Sequence, residues 1–283
     1  MTATPMLGVQ GLTIRVGERT LLRDLSLDLR TGELWCIVGA NGAGKSLFLH
    51  TLVGLRPIER GRVQLRGREL AGCALGDAAR VRGFLPQTNV HAFSMPVVDV
   101  VMTGRFPFAR GFEWESEQDR AHALQALADM DVGHLAHRDV LSLSGGEGQR
   151  VNLAALLAQD VPLLLLDEPI THLDLRHQVR VLAKLRELSG EGRCVVLSIH
   201  DLNLANAFAT HVLLLSGGGA AIAGRAADVM TARNLSHALD CRIDRVEIPE
   251  GAMFVVREPT PEHPATSVRP SRALVSARDG GDP

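Results

Sequence analysis

Tyrosine is absent from this chain of 283 residues, and aromatic residues make up only 4% of it. No tyrosine can therefore stack on a planar ligand, and ring contacts fall to eight Phe and two Trp. Cysteine is also scarce. Cys36, Cys73, Cys194 and Cys241 stand far apart with no C-x-x-C spacing, which argues against a metal knuckle or a disulfide framework. Cys36 and Cys194 fall in apolar runs and read as small buried hydrophobes in a reducing compartment. Lysine is rarer still: Lys45 and Lys184 are the only two among 30 basic residues. Those 30 face 32 acidic residues, so there is no electrostatic footprint of a nucleic-acid partner. No stretch has the order of a signal peptide, and no apolar run approaches the roughly 20 residues that span a bilayer. A chain soluble by itself is expected. His134 and His137 have no further spaced ligand beside them and read as a solvated helix end.

Against that background of scarce lysine, Gly39-Ala40-Asn41-Gly42-Ala43-Gly44-Lys45-Ser46 fits the phosphate-loop pattern G-x-x-x-x-G-K-[ST]. Glu33 to Val38 reads as a buried strand and Lys45 onward as a helix, so the octet joins strand to helix as its chemistry requires. Glycines at 39, 42 and 44 let successive backbone N–H groups converge where the helix N-terminus adds partial positive charge. A triphosphate fits that cradle. Lys45 should reach the β- and γ-phosphates, and the Ser46 hydroxyl should ligate Mg²⁺.

The rest of the chain reads as an α/β fold. Residues 7 to 30 alternate apolar and polar about a break at 16–19, which predicts an antiparallel hairpin. Short strands are expected at 61–67 and 81–85. From about 97 to 159 the pattern turns helical, with Leu124, Leu127, Ala128 and Met130 proposed as one face. Pro162 to Asp167 and Cys194 to Ile199 are continuous apolar runs around a helix carrying Val179, Leu182, Leu185 and Leu188, the signature of a parallel sheet. A helix near 234–239 and strands near 242–248 and 253–257 follow. From Glu258 the composition shifts to Pro and mixed charge, so 258–283 reads as a disordered tail.

Further chemistry sits at predicted strand ends. Asp167 closes the four-leucine strand and is placed to hold Mg²⁺ directly or through water. Glu168, one residue on, is the candidate for activating the attacking water. Gln87 follows a strand at the entrance to the helical block and can touch Mg²⁺ or water while its backbone moves with that block; on its own it could equally be a surface residue after Pro86. His200 ends a buried strand, where open α/β sheets face their ligand, although a lone histidine there is commonly just a satisfied polar group. Leu143-Ser144-Gly145-Gly146-Glu147 precedes a helix and forms a second anion site. Two such chains related by a two-fold axis would use all four sites, each serine-glycine loop closing on the other chain's phosphate loop.

In this set of motifs the chain resembles the ATP-binding cassette (ABC) ATPases over about residues 7–257. The resemblance implies a P-loop NTPase fold with a RecA-like parallel sheet, an antiparallel β subdomain and a helical subdomain inserted at about 88–160, the cassette occupying 1–257. It implies ATP and Mg²⁺ as ligands and a nucleotide site at 39–46 with Leu47 and Val16. It further implies catalytic Glu168, His200 and Gln87, metal contacts from Ser46, Gln87 and Asp167, a signature at 143–147 acting in trans, and a D-loop at Leu173 and Asp174. Leu47 stands where the family usually has Thr or Ser, Gly148 replaces a common Gln, and Val16 occupies the position of the adenine-stacking aromatic, 29 residues before Lys45. The runs 167–178, 200–205 and 103–108 are similar to importer ATPases for cobalamin, ferric siderophores and haem. His172-Leu173-Asp174-Leu175-Arg176-His177-Gln178 and Gly111-Phe112-Glu113-Trp114-Glu115 lean toward cobalamin. Such a subunit works as a homodimer on integral membrane permease subunits at the cytoplasmic face of the inner membrane, with a periplasmic or extracellular substrate-binding protein and no nucleic acid. An exporter ATPase or a soluble non-transport ABC protein is the alternative. Arg105, Phe106 and Phe108 are expected to face the permease.

Overall fold

The computed structural model describes residues 4–109, 116–249 and 251–257. Leu7–Val16 (β1) and Arg19–Leu29 (β2) pair antiparallel across a tight turn, and their inward residues include Leu12, Ile14, Leu22 and Leu29. Leu34–Gly39 (β3) is buried at every position, as a strand covered on both faces must be, and leads through the phosphate loop into Lys45–Leu52 (α1). Arg60–Leu65 (β4) and Arg68–Glu69 (β5) complete a four-stranded antiparallel sheet in the order β2-β1-β4-β5. Leu75–Ala79 (α2) then precedes Arg82–Leu85 (β6).

The helical block follows as Val97–Met102 (α3), Glu117–Asp129 (α4) and Gly145–Ala158 (α5). The chain returns to the core with Leu163–Leu166 (β7), Leu175–Gly190 (α6), Cys194–Ser198 (β8), Leu202–Phe208 (α7), His211–Leu215 (β9) and Ala221–Arg225 (β10). Ala226–Val229 (α8), Ala232–Leu239 (α9) and the hairpin Arg242–Ile248 (β11) with Gly251–Arg257 (β12) close the described chain. The central sheet runs β10-β9-β3-β8-β7-β6, parallel except for its β10 edge. Alternate residues of each strand feed two cores. Leu164 and Leu166 pack toward the helical side, and Leu163 and Leu165 toward the antiparallel sheet.

The fold departs from the sequence reading in several places. Strands β9 and β10 were not anticipated, because a five-residue apolar run between a helix and Gly217-Gly218-Gly219 carries little periodicity. The buried face of α4 is Ala123, Ala126 and Leu127 with Met130 just beyond, while Leu124 and Ala128 are exposed. Alanines win the inner positions because α4 lies against α5. On α6 the stripe is Val181, Leu182, Leu185 and Leu188, and Val179 faces outward. The Gly111–Glu115 run and the 258–283 tail lie outside the described residues.

Arg105 also departs from expectation. Its guanidinium pairs with Asp119 (2.7 Å), donates to the Ala158 carbonyl at the end of α5 (3.1 Å) and lies over the Phe108 ring at 4.5 Å. Its side chain is only 11% exposed, so it is an internal clamp that caps α5 and not a docking residue. Phe108 packs against the core, and Phe106 is the exposed member of the trio. The turn that carries them presses hard on α5. A Cβ on Gly104 would lie 2.1 Å from the Ala155 carbonyl oxygen. Gly104→Ala should therefore destabilise the helical subdomain by about 1–3 kcal/mol, as overpacking does. Urea unfolding measures it, and an unchanged midpoint would show that the turn gives way freely.

Candidate functional site

Four neighbouring strands of the central sheet deliver the site. Beyond β3 the chain turns through Gly42 (φ 74°) and Gly44 (φ 103°) into α1. Gly44 is doubly constrained, since a Cβ there would also come within 3.2 Å of the Leu21 side chain, a residue whose part in the site the sequence did not signal. The first intrahelical bond runs from Phe48 N to Gly44 O (2.8 Å), which leaves the amides of Lys45, Ser46 and Leu47 without helical partners at the positive end of α1. The Lys45 ammonium is buried and donates to the Gly39 carbonyl (2.9 Å). Burial lowers its pKa, opposed by the charges of Glu168 and Asp167.

Glu168 is the hub. His200 Nε2 lies 2.6 Å from its Oε1, and Gln87 Nε2 donates to its Oε2 at 3.0 Å. Its backbone is left-handed (φ 49°), a conformation that costs a non-glycine residue about 1–2 kcal/mol. Burial pushes the Glu168 carboxyl up, but the His200 and Gln87 contacts and the Lys45 charge outweigh it and hold the group below its ordinary value. Asp167 sits one residue earlier, 1% exposed, and accepts from the Ser198 hydroxyl through Oδ1 (2.6 Å). Its second oxygen, Oδ2, is buried with no partner among the described residues. A buried carboxylate oxygen without a donor is an acceptor suited to a cation or its water, so the residues here fit Mg²⁺.

Of the sequence-predicted residues, Asn41, Gly42, Gly44, Lys45, Ser46, Leu47, Gln87, Glu168 and His200 line one cavity of about 410 Å³, together with Leu21. Gly39, Ala40 and Ala43 build the loop behind it. Val16, half exposed at the end of β1, does not line that cavity. Neither does any residue of 143–147. Ser144 caps α5 instead: its hydroxyl accepts the Glu147 amide (3.3 Å) and its own amide donates to the Glu147 carboxylate (2.8 Å), a capping box legible as S-x-x-E. Gly145 and Gly146 form the first turn, and Leu143 packs against the core. Asp174 caps α6 by accepting the His177 amide (2.9 Å), whereas Leu173 is buried. Gln149 ties α5 to the loop after Glu168 through the Pro169 carbonyl (3.0 Å), and Asn152 ties it to the loop after Gln87 through Asn89 and His91. Ser198 and Asn152 were missed because isolated polar residues inside apolar elements carry no spacing signal, and Gln149 because it reads as one more polar residue near the start of α5.

A family model described as ABC transporter matches residues 22–171. The chain belongs to the ABC transporter family. As a member it is an ATPase whose hydrolysis drives transport. The cassette is 43% identical over 255 residues to a hemin import ATP-binding protein of Thermobifida fusca, covering 90% of this chain and 89% of that one. It is 37% identical to an iron(3+)-hydroxamate import ATP-binding protein of Bacillus subtilis, covering 80% and 84%. Among solved structures it is similar to a metal-chelate-type ABC transporter in an inward-facing conformation, with a TM-score of 0.77, 29% identity and coverage of 89% and 98%. These likenesses bear out the expected cassette fold.

Because the Glu168 carboxyl is held below its usual 4.5, its charged state favours the fold above that value, and the contribution is lost as pH falls through the lowered one. The stability of the unmodified chain relative to Glu168→Gln should therefore rise as pH climbs through the lowered value and level off above the ordinary 4.5. Parallel denaturant titrations read it; a difference independent of pH would remove the linkage.

Proposed function

We propose that this cassette powers a bacterial importer for a metal chelate. The observation that carries the mechanism is the convergence of Gln87 and His200 on the two oxygens of one carboxylate beside Lys45. Glu168 is the base that orients and activates water for attack on the γ-phosphate of ATP, and His200 holds that carboxylate and receives developing charge. Gln87 reports the geometry to the helical block. Lys45 and the amides of 42–47 bind the phosphates, with Val16 giving the base only apolar contact. Ser46 and Asp167 hold Mg²⁺, with Gln87 beside them; when bound, the ion screens the charge of the phosphates.

The capped loop 143–147 and the D-loop at Leu173 and Asp174 serve the partner cassette of a homodimer, which accounts for Ser144 lying outside its own cavity. Exposed Val90, Phe93 and Phe106 follow Gln87 in sequence and suit permease subunits at the cytoplasmic face of the inner membrane. No described helix is long and apolar enough to cross a membrane. A substrate-binding protein completes the system. The relatives carry hemin and iron(3+)-hydroxamate in their names, which supports haem or a ferric siderophore as cargo. The sequence leaning toward cobalamin finds no such support among them.

Glu168→Gln keeps size and loses the base, so it should bind ATP normally, lose at least about 100-fold in turnover, and elute as an ATP-dependent dimer in size-exclusion chromatography. A monomer with near-normal turnover would sink the assignment. For cargo, proteoliposomes holding the cassette with its co-purified permease should accumulate haem or a ferric hydroxamate when ATP is supplied on the cassette side. Accumulation of cobalamin alone would reverse the preference, and ATP-driven movement away from the cassette side would make the system an exporter.

A further inference from the structure

Ser198 ends β8 as a fully buried hydroxyl between Leu197 and Ile199. A serine in that position is costly unless its polar atom is used, and here it is used twice. A backbone N–H can only donate and a carboxylate can only accept, so the direction of both bonds is fixed. The hydroxyl accepts the Glu168 amide at 2.8 Å and gives its single proton to Asp167 Oδ1 at 2.6 Å.

The geometry points to Ser198 as the positioning residue of the metal acceptor, an inference that rests on the reading of Asp167 as the Mg²⁺ residue. Without the Ser198 proton the two Asp167 oxygens have equal claim on any donor, and the carboxylate can rotate between them. With it, Oδ1 is committed and Oδ2, the buried oxygen lacking a partner, is the one presented. The same hydroxyl pins the amide of the residue whose backbone is left-handed, so one side chain sets both the orientation of the metal acceptor and the backbone that aims Glu168. Groups that orient a metal ligand in this way are worth about 10–100-fold in metal affinity.

The test is Mn²⁺ binding to the full-length protein with ADP, followed by electron paramagnetic resonance, with thermal melts confirming the fold. Ser198→Ala should weaken Mn²⁺ by about 10-fold while leaving metal-free ADP affinity unchanged, and Ser198→Thr, which keeps the hydroxyl, should restore it. If the alanine variant does not fold, Ser198→Cys, intermediate in size between serine and threonine and a poor donor, should show the same loss. Undiminished Mn²⁺ binding in the alanine or cysteine variant, with Asp167→Asn impaired, overturns the role of Ser198. Equal loss in the alanine and threonine variants marks packing and overturns it as well. Undiminished binding in Asp167→Asn overturns the metal reading itself.

Discussion

A parallel sheet covered on both faces can carry polar side chains only where its strands stop. That constraint organises this molecule. Strands β3, β7 and β8 are buried at every position, so the chemistry of the chain is pushed to their carboxyl ends. Because these strands are neighbours and β6 flanks them, four separated stretches of sequence emerge side by side: the phosphate loop, Asp167 with Glu168, Ser198 with His200, and Gln87. The burial that builds the core also lowers the local dielectric around Lys45 and Asp167, which strengthens every charge interaction made there.

Much of this was legible before any coordinates. A motif that is also a strand-to-helix junction declares both its fold and its ligand, and the spacing from Lys45 through Ser144 to Asp167 and His200 left little freedom in assembling a cassette. What escaped was carried by single residues. Ser198 and Asn152 sit inside apolar elements where periodicity predicts only burial. Arg105 beside two phenylalanines has the composition of an interface anchor, and only the position of Asp119 and the end of α5 reveal it as an internal clamp. The inner face of α4 was misjudged because leucine was favoured over alanine, whereas close helix packing prefers the smaller side chain.

Helix α5 connects several distant parts of the chain. Its N-terminus is capped by Ser144, its middle holds the loop after Gln87 through Asn152, and its C-terminal carbonyls are clamped by Arg105. Gln149 binds it to the loop after Glu168. A displacement of this helix would therefore act together on the loop after Glu168, the loop after Gln87 and the turn that carries Arg105.

The scarcity of lysine has a further consequence for chemistry performed on the protein. Of its two side-chain amines, Lys184 is held between Asp129 and Glu187, and the net effect of those partners is to raise its pKa above the ordinary value. Burial moves Lys45 the other way. The two amines are therefore moved in opposite directions, and they also differ in access: the Lys184 side chain is 20% exposed, whereas Lys45 is buried at 6% exposure and donates to the Gly39 carbonyl. An acylating reagent thus meets Lys184 as the accessible side-chain amine of the folded chain, and labelling of Lys45 by mass spectrometry reports opening of the phosphate loop.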